Sequence, residues 1–223
     1  MMKRNNFPFS AVLGLNHAKT AILIVLVNPR AGGLLISGHQ GIGKSTLMRS
    51  TQELIERPWR DIPVSITEDR LFGTIDTEKA IYSGQKKLYP GIINEADQGV
   101  LYLDDVNLLR EDLLDSILDI AEVGTYQLER DGLSLRCDTS FTVIAAINPE
   151  SGMLSGACLD QFGLFVNVDN IHDENTRVEI LKRTISFEKD CASFCNLWKL
   201  ENEKIKKAIH SAMSLLPKVV VSS

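Results

Sequence analysis

The chain has 223 residues, 44% of them hydrophobic and 24% charged, which is typical of a globular protein with one sizeable α/β domain and a smaller piece. Its formal net charge of −5 argues against a protein that binds the nucleic-acid backbone regardless of sequence, because such proteins carry clustered basic residues. The longest apolar run, Ala21 to Val27, is far shorter than the ~20 residues that a membrane span needs.

The ends and the cysteines of the chain indicate an ordinary intracellular protein. No apolar signal segment follows the charged segment Met1 to Asn6, so we expect a cytoplasmic protein. We also expect no membrane span and no nucleic-acid partner. The four cysteines include no C-x-x-C pair. Cys191 and Cys195 are spaced to share a helix face, but no nearby His or Cys completes a zinc site, so we expect reduced thiols.

The first third of the chain predicts a helix, a strand and a second helix. His17 to Val27 is apolar nearly all round, which predicts a buried helix ended by Asn28-Pro29. Leu34 to Ser37 predicts a buried strand, and Ser45 to about Ile55 predicts a helix that ends before Pro58.

The loop between this strand and the second helix carries a phosphate-binding motif, G-x-x-x-x-G-K-[ST]. Its residues are Gly38, His39, Gln40, Gly41, Ile42, Gly43, Lys44, Ser45 and Thr46. Gly38 and Gly43 permit backbone dihedrals that a Cβ forbids, so that successive N–H groups point at a polyphosphate beside the positive end of the helix dipole. We expect Lys44 to reach the β- and γ-phosphates and the Ser45 hydroxyl to ligate Mg²⁺.

The middle of the chain is less regular. Residues 61–76 are predicted as loop-rich, Thr77 to Ser83 as one or two helical turns, Gly84 to Gly91 as a loop and Ile92 to Ala96 as a short helix.

Two carboxylates follow the next predicted strand, Val100 to Leu103. Ligands gather at the carboxyl ends of parallel strands, where the phosphate loop also lies. We therefore expect Asp104 to bind Mg²⁺, through water, and Asp105 to orient or deprotonate the attacking water. The alternative is a strand that ends in a solvated acidic turn, which the phosphate loop makes the weaker interpretation.

The following segment predicts a helix, a hairpin and a strand. Apolar residues at spacings of three and four indicate an amphipathic helix ended by Gly124, and Thr125 to Cys137 predicts a β-hairpin that turns at 130–132. Phe141 to Ile147 predicts another buried strand, ending at Asn148. Asn148 either holds the lytic water or the γ-phosphate, or only terminates the strand in an Asn-Pro turn; both interpretations stay open.

The last part of the chain changes character. Leu164 to Val168 predicts a further strand; after it the pattern becomes helical from Asp173, with a second helix at about Glu201 to Leu216. We therefore divide the chain into a nucleotide-binding core at 1–170 and a helical segment at 171–223.

Several motifs together resemble the AAA+ ATPase subunit of magnesium chelatase, and the resemblance runs from Phe7 to about Lys218. It rests on the following stretches: Phe7-Pro8-Phe9-Ser10-Ala11, the phosphate loop, Glu68-Asp69-Arg70 with Gly73, Pro90-Gly91, 99–109, Glu129-Arg130-Asp131-Gly132-Leu133-Ser134 and Asn148-Pro149-Glu150. The opening and the hairpin are more specific than the phosphate loop.

The resemblance implies a fold, cofactors and partners. The fold is a P-loop AAA+ α/β fold, a three-layer αβα core with a parallel sheet, β-hairpin insertions and the start of a C-terminal helical region. The cofactors are ATP and Mg²⁺. The partners are the other subunits of a homo- or hetero-oligomeric ring, a second AAA+ chelatase subunit and a large porphyrin-binding subunit; the complex inserts Mg²⁺ into protoporphyrin IX.

Three departures from the family pattern bear on hydrolysis. The family has Asp-Glu where this chain has Asp104-Asp105, and a misplacement of about 1 Å can cost ~10²-fold in rate. The family's arginine that acts on the neighbouring subunit's nucleotide is here Gln161, and such arginines are worth ~10³–10⁵ in rate. The chain ends at Ser223, where the family continues into a helical lid, which indicates a fragment or a shortened homologue.

These departures leave three hypotheses. The first is an ATPase motor subunit of a chelatase-type complex that hydrolyses slowly alone. The second is a nucleotide-dependent assembly or regulatory subunit with weak hydrolysis. The third is an AAA+ protein remodeller of the MoxR type.

Overall fold

The computed structural model describes residues 6–75, 88–130 and 133–219. The strands are β1 (Leu34–Ser37), β2 (Trp59–Ile62), β3 (Gly73–Ile75), β4 (Leu88–Pro90), β5 (Gly99–Leu103), β6 (Thr125–Arg130), β7 (Leu133–Asp138), β8 (Phe141–Ile147) and β9 (Leu164–Asn167). The α-helices are α1 (Asn16–Val27), α2 (Lys44–Thr51), α3 (Glu68–Phe72), α4 (Ile92–Glu95), α5 (Glu111–Val123), α6 (Gly156–Asp160), α7 (Glu174–Lys189) and α8 (Cys191–Leu215).

A five-stranded sheet with the order β2-β5-β8-β1-β9 forms the centre of the fold. Every neighbouring pair in it is parallel. The inner strands β1, β5 and β8 are buried along their whole length, as strands covered by helices on both faces are. Two antiparallel pairs, β3 with β4 and β6 with β7, lie outside this sheet.

Successive side chains along the central strands point to opposite faces of the sheet and belong to two separate hydrophobic cores. Leu101, Val143 and Ala145 belong to the core that contains α4 and α5. Tyr102 and Ile144 belong to the core on the other face, which contains α1, α2 and part of α8. Because each core closes one face of the sheet, the expected three-layer αβα arrangement is confirmed.

Most predicted elements are present, but the middle of the chain holds more strand than expected. Residues 59–62 form the edge strand β2, which the prediction of a loop-rich segment from Asp61 missed. The predicted loop Gly84 to Gly91 was wrong in its described part, where 88–90 form β4 opposite β3. The helical turns predicted for Thr77 to Ser83, and the tip of the hairpin at 131–132, lie outside the described residues.

The C-terminal helices are longer than predicted and pack against the rest of the chain. Helix α8 begins at Cys191 rather than near Glu201, with Asp190 as its N-cap; the Asp190 side chain accepts a hydrogen bond from the Ser193 N–H. Ile209 of α8 lies in the same core as α1. The division of the chain at residue 170 stays a prediction. In the ranges that the structure describes, no helix combines the length and hydropathy needed to traverse a bilayer.

Contacts between the N-terminal segment and α7 and α8 join residues far apart in the sequence. Asn202 Oδ1 accepts hydrogen bonds from Ser10 N at 3.0 Å and from Ser10 Oγ at 2.7 Å. Arg183 Nη1 donates to the Ala11 carbonyl at 2.9 Å. The ring of Phe7 lies 5.2 Å from those of Phe187 and Phe194. These contacts hold the N-terminal segment against both helices.

We expect Asn202→Ala to destabilise the fold by about 1–3 kcal/mol, because it removes a buried amide and leaves the half-buried Ser10 N–H and hydroxyl without their partner. Urea unfolding measures this loss. The exposed Asn196 on the same helix is the matched control, and Asn196→Ala should change the free energy of unfolding by less than about 0.5 kcal/mol. Equal losses in the two variants would contradict the assigned role of the Ser10–Asn202 contact.

Candidate functional site

The phosphate loop leaves the buried strand β1 at Gly38 and turns into helix α2. Gly41 and Gly43 have φ angles of +85° and +95°, a left-handed region that side chains with a Cβ rarely adopt. Gly38 does not share this region, so the dihedral expected for it was wrong. It is needed for space: a Cβ there would lie 2.4 Å from Ile42 Cδ1 and 2.8 Å from the Val168 carbonyl oxygen.

Lys44 opens helix α2 with its side chain folded back over the loop. The residue is only 6% exposed, and its ammonium donates hydrogen bonds to the carbonyls of Gly38 and, at 2.9 Å, His39. Burial lowers the pKa of Lys44, and the carboxylates of Asp105 and Asp104 oppose this shift. The ammonium therefore lies over the phosphate loop, bonded to its carbonyls, where a polyphosphate would offer charged acceptors in their place.

Ser45 and Asp104 meet although they come from different elements. Ser45 Oγ donates to Asp104 Oδ2 at 2.9 Å, which joins the start of α2 to the carboxyl end of β5. A hydroxyl and a carboxylate at one point are the hard oxygen ligands that Mg²⁺ prefers. Within the described residues, no three His, Cys, Asp or Glu side chains are grouped to hold a metal, so a cation here would also need water or phosphate oxygens.

Asp105 and Asn148 end the two neighbouring inner strands. Asp105 has a φ of +47° and a ψ of +50°, a left-handed conformation that aspartate tolerates better than most residues. Asn148 Oδ1 accepts from the Glu150 N–H at 3.2 Å, and Asn148 Nδ2 donates to Ser151 Oγ at 3.3 Å. Asn148 therefore caps the turn after β8, as the Asn-Pro interpretation expects, while it also faces the cavity described next.

A polar cavity of about 310 Å³ brings most of the predicted site together. Its lining residues are Gln40, Gly41, Gly43, Lys44, Ser45, Thr46, Asp104, Asp105, Asn148 and Ser151. Three residues of the motif do not line it: Gly38 lies beneath the loop, Ile42 lines a neighbouring cavity, and His39 Nδ1 lies 3.2 Å from Glu150 Oε1.

A second cavity, of about 540 Å³, adjoins the first along Gly41, Gly43 and Thr46. Its other walls are the N-terminal segment and helix α7, with Ile180 and Phe187 among the apolar lining. This cavity was not predictable from the sequence, because its N-terminal and α7 walls lie more than 150 residues apart and share no motif. The only hint in the sequence was the opening Phe7 to Ala11, which served as a family signature.

Tyr102 lies on β5, two residues before Asp104, and is 3% exposed. Its ring packs 5.9 Å from that of Trp59, and its hydroxyl has no hydrogen-bond partner among the described residues. Burial, and next the charge of Asp104, raise the pKa of the Tyr102 phenol well above its usual range. The phenol is therefore a neutral donor at every physiological pH.

Gln161, for which the resemblance implies an arginine in the family, follows helix α6 and lines neither cavity. Its Oε1 atom is buried and has no hydrogen-bond partner within the described part of the chain. The four cysteines are free thiols; Cys191 Sγ lies 4.0 Å from Cys195 Sγ.

Comparisons with known proteins agree on one family. The profile of the AAA domain (dynein-related subfamily) matches residues 33–161. The magnesium-chelatase 38 kDa subunits of Chlorobaculum tepidum and Cereibacter sphaeroides are each 35% identical over 96% of this chain. The magnesium-chelatase subunit ChlI homolog of Methanocaldococcus jannaschii is 34% identical over 100% of it.

The structural comparison gives the same result. A solved chain from the complex between subunits BchI and BchD of magnesium chelatase superimposes with a TM-score of 0.70 at 35% identity, over 96% of this chain and 77% of that chain.

The chain spans 65% of the length of the Chlorobaculum subunit, 74% of the Cereibacter subunit and 71% of the Methanocaldococcus homolog. The alignment with the Chlorobaculum subunit covers 256 positions, more than the 223 residues of this chain, so that relative contains segments inside the aligned region that this chain lacks. On these similarities, the chain belongs to the AAA-domain ATPases and, among them, to the family of the magnesium-chelatase ChlI subunits.

Proposed function

We propose that the chain binds Mg·ATP and acts as an AAA+ motor subunit of a magnesium-chelatase-type complex, located in the cytoplasm. The observation that carries this proposal is the polar cavity at the start of α2. Its lining includes Lys44 and Ser45 of that helix together with Asp104 and Asp105. The Lys44 ammonium, the N–H groups at the helix start and the oxygen ligands of Ser45 and the aspartates therefore lie around one cavity. A triphosphate with its metal requires these three kinds of group.

The two adjoining cavities suit the two ends of a nucleotide. The 310 Å³ cavity has the ammonium of Lys44 and the carboxylates, and it would hold the phosphates. The 540 Å³ cavity, with its apolar walls, would hold the nucleoside. Gly41, Gly43 and Thr46 line both, so a ligand that fills both passes directly over the phosphate loop.

Ser45 and Asp104 would hold Mg²⁺, Ser45 directly and Asp104 through water. Their 2.9 Å hydrogen bond supports this, since it already brings the hydroxyl and the carboxylate to one point. When bound, the cation neutralises charge on the transferred phosphoryl group. Lys44 would exchange its bonds to loop carbonyls for bonds to the β- and γ-phosphates.

Asp105 and Asn148 would act on the attacking water. Both line the phosphate cavity at the ends of neighbouring strands, where a water in line with the γ-phosphate would lie. Asp105 would accept its proton or orient it, and Asn148 would hold it with the amide that now bonds to Ser151.

The role in metal insertion rests on the relatives. Their names describe magnesium-chelatase subunits, and the matching solved chain comes from a BchI–BchD complex. We propose that this chain forms an oligomeric ring with such a second AAA+ subunit and drives a large porphyrin-binding subunit. That subunit, rather than this chain, would hold protoporphyrin IX.

The rate of ATP hydrolysis in such a ring would depend on Gln161. A neutral amide cannot neutralise transition-state charge, so a ring of this chain alone would bind Mg·ATP and hydrolyse it slowly. A mixed ring with an arginine-bearing neighbour would restore turnover at this chain's own site.

The same residue favours the second candidate, a nucleotide-dependent assembly or regulatory subunit. There, ATP binding alone would change the conformation, and the short Asp105 together with Gln161 would keep hydrolysis weak. A single-turnover ATPase assay in the assembled complex separates the two candidates. ADP formed during the single turnover supports the motor, and the absence of ADP supports the regulatory subunit.

We expect Lys44→Ala to weaken binding of Mg·ATP by about 10- to 100-fold, the loss of one or two charge-assisted hydrogen bonds. Isothermal titration calorimetry measures the affinity. The exposed Lys207 on α8 is the control, and Lys207→Ala should leave the affinity unchanged. Unaltered binding by folded Lys44→Ala protein, or no binding by the unmodified protein, would contradict the proposed site.

We expect Gln161→Arg to raise steady-state ATP turnover at least ~10-fold in an assembled ring, since a trans-acting arginine is worth ~10³–10⁵ in rate elsewhere. Gln161→Ala, which adds no charge, is the control and should give no gain. Light scattering establishes assembly in the same samples. An assembled Gln161→Arg ring that turns over no faster would refute the arginine explanation, whereas binding of Mg·ATP should be the same in all three proteins.

A further inference from the structure

A buried hydroxyl without a partner lies beside the proposed magnesium ligands. Tyr102 is 3% exposed and its Oη atom has no hydrogen-bond partner in the described residues. Folded proteins pair the large majority of such buried polar atoms, so an unpaired one calls for an explanation. A phenylalanine would fill the same space without this cost.

Tyr102 and Asp104 lie on the same side of the sheet. Tyr102 belongs to the core that α2 closes, and Asp104, the first residue after β5, accepts a hydrogen bond from Ser45 of α2. After burial, the charge of the Asp104 carboxylate is the main cause that raises the pKa of Tyr102, which supports the proximity of the two groups. The contact of the Tyr102 ring with Trp59 on β2 limits the positions that the ring can take.

Within the described residues, the carboxylate of Asp104 accepts one side-chain hydrogen bond, at Oδ2 from Ser45 Oγ at 2.9 Å. One hydrogen bond leaves a carboxylate free to rotate about its own axis, whereas a second donor on the other oxygen fixes its plane. A ligand that holds a cation needs this orientation, because outer partners set the geometry of metal-binding groups.

We propose that Tyr102 is a positioning residue for Mg²⁺, whose hydroxyl donates to Asp104 and fixes the carboxylate while Ser45 and Asp104 hold the cation of Mg·ATP. This inference rests on the proposed nucleotide site. It assigns Tyr102 no contact with the nucleotide; the hydroxyl acts only through Asp104.

The test is Tyr102→Phe, which removes one oxygen and keeps the ring against Trp59. We expect the Mg²⁺ concentration for half-maximal binding of a fluorescent ATP analogue to rise about 10-fold, the usual effect of losing one hydrogen bond to a charged group. Binding of the same analogue in EDTA should stay within about two-fold of the unmodified protein, because Asp104 then has no cation to hold.

The matched control is Tyr126→Phe. The Tyr126 hydroxyl is also buried but donates elsewhere, to the Phe72 carbonyl at 2.9 Å or to Asn94 Oδ1 at 2.6 Å. Its removal should lower the urea midpoint and leave the Mg²⁺ requirement unchanged. Tyr102→Phe should show the opposite pattern, a urea midpoint unchanged or higher and a raised Mg²⁺ requirement.

A second variant keeps the inference falsifiable. In an Asp104→Asn background, Tyr102→Phe should add less than about two-fold, since the group it positions has been altered. The same 10-fold effect in both backgrounds, or an unchanged Mg²⁺ requirement in the single variant, would overturn the positioning role while leaving the nucleotide site intact. If the unmodified protein bound the analogue without any dependence on Mg²⁺, the proposed function would fail first and this inference with it.

Discussion

The parallel pairing of β8 with both β1 and β5 is the constraint on which the rest of the structure depends. Because β8 lies between them in register, Ser37 pairs with Ile147 and Leu103 with Ala145, and all three strands end at one edge of the sheet. The phosphate loop follows β1, the two aspartates follow β5 and Asn148 follows β8. The strand pairing therefore brings polar residues that are more than a hundred positions apart in the sequence to one edge of the sheet. Open α/β sheets bind ligands at this edge.

The sheet and the polar cavity were largely predictable because their signals are contiguous. A strand buried on both faces appears as an unbroken apolar run, and both Val100 to Leu103 and Phe141 to Ile147 are such runs. The glycine spacing of the phosphate loop is equally local. The structure places Lys44 and Ser45 in one cavity with the aspartates, although the catalytic role of each residue stays a prediction.

The rest was not predictable for physical reasons that differ from element to element. Strand β2 is an edge strand with exposed Arg60 and Asp61, so it shows neither an apolar run nor alternation. The start of α8 was not predictable because Leu197 and Leu200 lie on the exposed face of the helix. Apolar residues on that face break the periodic pattern by which an amphipathic helix is identified in a sequence. The role of Gly38 depends on the close approach of Val168, and such tertiary proximity leaves no trace in a local pattern.

The contact between Ser10 and Asn202 bears on the order in which the nascent chain folds. Ser10 and Asn202 are 192 positions apart in the sequence. The 540 Å³ cavity is likewise walled by the N-terminal segment and helix α7, more than 150 residues later in the chain. Until α7 and the first half of α8 have left the ribosome, the N-terminal segment lacks its contacts with Arg183, Phe187 and Asn202, however complete the central sheet already is. The second wall of the 540 Å³ cavity therefore forms after the central sheet can form, and closure of so long a loop makes it one of the late events in folding.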